Sequence, residues 1–82
     1  MKFITLKVYF EKIETSPNGL PIPTGFRYEN VYINTDYITA IINVNPDLES
    51  VSYKSYVFQQ GIEAPWRCLD DAGTILLNIN SN

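Results

Sequence analysis

The sequence predicts a small, mainly β fold, α+β if its last segment is helical, built as a curled five-stranded antiparallel sheet or an SH3-like barrel. Three observations carry this. Val31 to Val44, VYINTDYITAIINV, is the most apolar and most β-branched stretch, and it divides into two β-type runs across Asn34-Thr35-Asp36. Lys2 to Ile13 alternates apolar and polar residues. Glycine, proline and asparagine punctuate the rest at short intervals, as they do where turns link strands. With 82 residues, 45% hydrophobic and 18% charged, residues 1–82 have room for one domain and one small core. A domain of this size buries only about 60% of the surface its unfolded chain exposes.

In the first segment Ile4, Leu6, Val8 and Phe10 share one side, with Thr5, Lys7, Tyr9 and Glu11 on the other, which describes a half-buried strand of about ten residues. Ser16-Pro17-Asn18-Gly19 is a turn, because proline presets φ and Asn-Gly accepts positive φ. Pro21 and Pro23 lack the N–H a ladder needs, so Glu14 to Gly25 is expected to be a long loop. Leu20 and Ile22 on it are candidate contacts for a partner subunit or target, against the plainer readings that they close the protein's own core or that the loop is a linker.

Phe26 to Ile33 resumes as a strand. Phe26 and Tyr28 have one parity and Val31 and Ile33 the other, and a β-bulge near Glu29-Asn30 would reconcile them. From Tyr37 to Val44, Ile38, Ala40, Ile42 and Val44 are expected to face one way and Thr39, Ile41 and Asn43 the other. Asn45 to Glu49 is a turn, Val51 to Phe58 a fourth strand, and Pro65 to Leu69 a short fifth. Asp70 to Asn80 has two readings. As a helix, Asp70 or Asp71 caps it and Ala72, Ile75, Leu76 and Ile79 form a stripe; as a strand, Ile75, Leu77 and Ile79 alternate.

The segment Ile33-Asn34-Thr35-Asp36-Tyr37-Ile38-Thr39-Ala40-Ile41, followed by a strand, a glycine turn, a short strand, an acidic pair and an apolar end, resembles the FlbD-type family of small bacterial flagellar proteins. The resemblance covers about Val31 to Ile79 and departs at Ser16 to Gly25 and at Trp66. It implies a curled, SH3-like sheet whose acidic pair opens a terminal helix, and no flagellar function is carried over.

A net charge of -3 and a pI near 4.6 argue against general nucleic-acid binding, which needs a clustered basic face. There is no long apolar run to enter a membrane and no signal-peptide pattern, so a soluble, cytoplasmic protein is expected. One cysteine and no histidine leave no disulfide and no metal site, and no cofactor motif is present. Cys68, beside Trp66 and Leu69, reads as a buried thiol more readily than a reactive one. Asp70-Asp71 serve better as a helix cap than as a catalytic pair, and without a histidine base the chain does not read as an enzyme.

Tyr53, Lys54, Tyr56, Trp66 and Arg67 on the fourth and fifth strands are candidate binding residues, since aromatic rings with interleaved cations can hold a protein surface or an anion. The competing reading has Trp66 and Phe58 in the core and the tyrosines along sheet edges. Tyr28, Tyr32 and Arg27 form a second such cluster. Six tyrosines, four phenylalanines and a tryptophan in a chain lacking disulfide and metal staples point to self-association. Two functions are expected from this. One is a non-catalytic interaction or inhibitor protein, similar to small accessory proteins of bacteria and phages, that binds a protein partner and forms a homo-oligomer. The other is a binder of a small anionic ligand, such as a nucleotide, at a subunit interface.

Overall fold

The computed structural model describes residues 2–45 and 52–81. Two long strands, β1 (Phe3–Thr15) and β2 (Pro21–Asn34), form a hairpin. Its turn is the one expected at Ser16 to Gly19. The Gly19 N–H donates to the Ser16 carbonyl (2.9 Å), the Leu20 N–H to Ser16 Oγ (3.1 Å), and Gly19 takes the positive φ of 82° that the turn requires.

Two expectations about this hairpin are corrected. The proline segment is strand rather than loop: Thr15 lies opposite Pro21 and Ile13 opposite Pro23. The reason is the alternation of backbone groups along β1. Lys7 accepts from the Leu69 N–H on the side away from β2, so odd-numbered residues of β1 aim their backbone groups away from β2. Pro21 and Pro23 therefore sit at non-hydrogen-bonded positions of an outer strand, where the missing N–H costs no ladder bond.

The bulge is also elsewhere. Pairing runs without a shift from Phe3 opposite Asn34 to Lys12 opposite Gly25, and the irregularity falls between Lys12 and Ile13, where Thr24 is surplus and Gly25 has φ 151°. Phe26 and Tyr28 thus lie on the opposite face of the sheet from Val31 and Ile33.

A single 3-10 turn, Thr35–Tyr37, follows, with Asn34 Oδ1 accepting from the Asp36 N–H at 2.9 Å. It leads to β3 (Ile38–Asn43), then β4 (Ser55–Gln59), β5 (Trp66–Cys68) and the helix α1 (Ala72–Ser81). The turn expected after Asn45 and the start of the fourth strand at Val51 lie outside the described residues. The strands form one antiparallel sheet in the order β2-β1-β5-β4-β3. β2 and β3 are its edges, so the sheet is curled and open rather than closed into an SH3-like barrel.

β3 departs from simple alternation. Ile38 pairs with Gln59 but Ala40 with Phe58, a bulge at Thr39 that places both Ile38 and Ile41 against the core and leaves Ile42 48% exposed. The expected Ile38, Ala40, Ile42 and Val44 face is split by that one surplus residue.

The last segment is a helix. The Thr74 N–H donates to Asp71 Oδ1 (2.8 Å) and the Ala72 N–H to Asn43 Oδ1 (2.8 Å), so two of its unpaired first-turn donors are met by side chains. Thr74's backbone N–H also holds the Asp71 carboxyl below its ordinary pKa. The stability contributed by this cap is present above the ordinary aspartate range and is lost as pH falls through the lowered value. Ala72, Ile75 and Ile79 turn towards the sheet, whereas Leu76 and Leu77 are 48% and 70% exposed.

Ile4, Leu6 and Val8 of β1, Ile33, Val57, Cys68 and Ile75 make the core, bordered by Phe10, Val31, Ile38, Ile41, Trp66 and Ile79. Truncating Ile75, which is 1% exposed, to alanine is expected to lower unfolding free energy by about 3 kcal/mol, while Leu77→Ala changes it by no more than about 0.5 kcal/mol. Denaturant midpoints of the two variants check this.

Candidate functional site

Because α1 covers one face of the sheet, the side chains of opposite parity collect on the other. Tyr9 of β1 is directly opposite Tyr28 of β2, Glu11 is opposite Phe26, and Arg67 of β5 is opposite Tyr56 of β4. Their rings form a continuous network. Tyr9 lies 5.5 Å from Phe26, 6.0 Å from Tyr28 and 5.3 Å from Tyr53, and Tyr53 lies 5.5 Å from Tyr56. Such spacings are within the range of favourable edge and tilted contacts.

Arg67 is the hub of this network. Its guanidinium carbon is 4.9 Å from the Tyr9 ring centroid and 5.6 Å from that of Tyr53, and Nη1 is 3.7 Å from Glu11 Oε1. The Tyr9 hydroxyl donates to the same carboxylate oxygen at 3.3 Å. The Tyr28 hydroxyl donates to the Ser52 carbonyl, and the Tyr53 and Tyr56 hydroxyls are 3.3 Å apart. Partial burial and the Glu11 charge raise the Tyr9 pKa above its ordinary value. The Tyr53 hydrogen bond, then burial, does the same for Tyr56. Both rings therefore present neutral hydroxyls around one fixed cation. The arrangement offers large, rigid, amphipathic contact area.

Of the residues singled out in the sequence, Tyr53, Tyr56 and Arg67 come together here. Lys54 is exposed; its N–H donates to the Cys68 carbonyl (2.8 Å) and its carbonyl accepts from Val44 (2.9 Å), and its charge reaches Asp71. Trp66 is on the opposite face, half-buried against the core with Nε1 donating to Gln59 Oε1 at 2.9 Å. The second cluster is divided as well. Arg27 pairs with Glu29 (2.9 Å) and lies over Phe10, with the parity opposite to that of Tyr28 and Tyr32. Leu20 and Ile22 are 65% and 46% exposed near the hairpin tip, so they do not close the core.

Tyr9, Glu11 and Phe26 were missed by sequence reasoning. Folding the chain about Asn18-Gly19 would have found them, because a regular hairpin from that turn sets Tyr9 against Tyr28. Among the described residues no group of three or more histidines, cysteines, aspartates or glutamates converges as a metal site, and no helix is long and apolar enough to cross a membrane. Comparison with protein families, curated proteins and solved structures gives no match.

Cys68 lies beneath this site, 1% exposed, and burial followed by the nearby Asp70 charge pushes its thiol up to about 11. A raised folded-state pKa means that its contribution to stability is complete below the ordinary thiol range and is lost as pH rises towards 11. Native protein at pH 8 is expected to leave the thiol unmodified by a disulfide reagent until it unfolds. The unfolding midpoint is expected to fall between about pH 9 and 11, and to fall less in Cys68→Ala.

Proposed function

We propose that this chain is a non-catalytic interaction protein, of the accessory or inhibitor kind, which self-associates and holds a protein partner on its tyrosine face. The observation that carries the reading is the placement of Arg67 between Tyr9 and Tyr53 on the sheet face opposite α1. Tyrosine and arginine are, with tryptophan, the residues most enriched where protein interfaces concentrate their binding energy; tyrosine brings area with little conformational entropy to lose, and arginine brings directional donors and a cation that stacks on rings. Glu11 at 3.7 Å and the Tyr9 and Tyr53 rings flank the guanidinium, which favours an ordered surface before a partner arrives. A single buried cysteine is in keeping with a reducing, cytoplasmic setting.

The alternative, a small anionic ligand such as a nucleotide, has less support. The charge of Arg67 already faces Glu11, and Trp66, a member of that candidate set, belongs to the other face.

The test compares wild type with Tyr53→Ala and Arg67→Ala in capture from the source cell, with circular dichroism to confirm folding. Both variants are expected to lose the captured protein, with affinity falling at least about thirtyfold for a loss of about 2 kcal/mol. Equal capture by all three would remove the tyrosine face as the site. Thermal stabilisation by a nucleotide, lost in Arg67→Ala, would favour the alternative.

A further inference from the structure

We propose that two copies of this chain associate by pairing the free edges of their β1 strands, with Ile13 opposite Ile13 of the second copy and each hairpin tip against a groove of the other. This rests on the self-association in the function proposed above and specifies the surface that performs it.

β1 has 13 residues and its inner neighbour β5 has 3. They meet where Val8 faces Cys68 and the Leu69 N–H reaches the Lys7 carbonyl. The pairing of β1 with β5 does not extend past Val8, and Pro65, which has no N–H to offer, precedes β5, so the ladder does not reach Glu11. From Glu11 to Thr15 β1 therefore has a partner on the β2 side alone. The pair projects as an arm, consistent with the 48 Å length of a molecule only 19 Å thick. A two-stranded ribbon is marginal by itself in water, and this one leaves Ile13 59% and Leu20 65% exposed.

The two edges of the arm differ. On β2, Pro21 and Pro23 turn their nitrogens outward and offer no donor. On β1, Glu11, Ile13 and Thr15 aim a complete set of N–H and C=O groups outward, because alternation places odd-numbered residues on that side and the surplus residue of the bulge belongs to β2. An open edge of this kind templates another strand.

Backbone parity and charge then select the register. Outward-facing residues must be opposite outward-facing residues, so a symmetric antiparallel pair can be centred only on a residue of the strand. Centring on Lys12 sets Lys12 against itself, and centring on Glu11 or Glu14 sets like carboxylates together. Centring on Ile13 places Lys12 opposite Glu14 twice, at non-hydrogen-bonded positions where side chains are closest, and buries Ile13 against its twin. The same register carries Ser16 of each copy alongside Phe10 of the other. The turn beyond it then reaches the groove of about 230 Å³ whose apolar lining includes Val8, Phe10, Ile62 and Trp66, with Tyr9 and Arg67 of the tyrosine face at its margin. Leu20 is the exposed apolar residue at that tip, matched to an apolar groove.

The experiment measures dimerisation of the full chain by sedimentation equilibrium at micromolar concentration, in wild type, Lys12→Glu, Glu14→Lys and the double exchange. All changes are at exposed positions, and circular dichroism confirms the fold of each. Each single reversal is expected to weaken the dimer about tenfold, and the double exchange to restore it. A monomeric wild type would overturn both this proposal and the self-association beneath it. A dimer indifferent to the single reversals, or not restored by the double exchange, would overturn the arm pairing and leave self-association to the tyrosine face.

Discussion

The constraint on which the rest of the structure depends is the mismatch in length between β1 and the strand beside it. The core lies at the Phe3 end of the hairpin, where the inward residues Ile4, Leu6 and Val8 cluster with Ile33, Val57, Cys68 and Ile75, and β5 meets β1 at Val8. Beyond Phe10 the same strand continues with β2 as its single neighbour, and nearly every residue of the ribbon from Glu11 to Arg27 is exposed. β5 is three residues long and pairs with β1 at Val8, so the rest of the hairpin is left as an arm with an open edge.

The second consequence is that the two sheet faces do different work. One is covered by α1, whose start is fixed by Asp71 and Asn43 and whose Ala72 and Ile75 complete the core. The other carries Tyr9, Phe26, Tyr28, Tyr53 and Tyr56 about Arg67. Eleven aromatic residues are more than so small a core can enclose, and the sheet resolves this by stacking five of them on one another at its surface. The hydroxyls of these tyrosines find partners in Glu11, the Ser52 carbonyl and, for Tyr53 and Tyr56, each other.

Much of the fold was legible in the sequence, and the failures share a cause. The alternation of β1, the turn at Asn18-Gly19 and the short fifth strand were visible because each is a local signal. Pro21 and Pro23 were misread because a proline excludes a strand only where its nitrogen faces a neighbour, and that depends on the register of β2 against β1 and on β2 being an edge strand. The parity change between Tyr28 and Val31 suggested a bulge because one apolar face was assumed; the sheet has apolar side chains on both. The helix of the last segment depended on Asn43, distant in sequence, to accept the Ala72 N–H. Tyr53, Tyr56 and Arg67 were found as a group because they fall on or beside two consecutive strands, the fourth and the fifth, which pair. Trp66, grouped with them as a candidate, instead takes the other reading the sequence allowed, half-buried against the core, since neighbours along a strand point to opposite faces.

Amide hydrogen exchange along β1 tests most directly whether the surplus length of this strand is an association edge. In the isolated chain the Lys12 and Glu14 amides bond to β2, while those of Glu11, Ile13 and Thr15 face water. Paired arms would protect all of them. The account requires that the Glu11, Ile13 and Thr15 amides exchange slowly at high protein concentration and become fast on dilution, with Lys12 and Glu14 changing far less. Free exchange of those three amides at every concentration would contradict it.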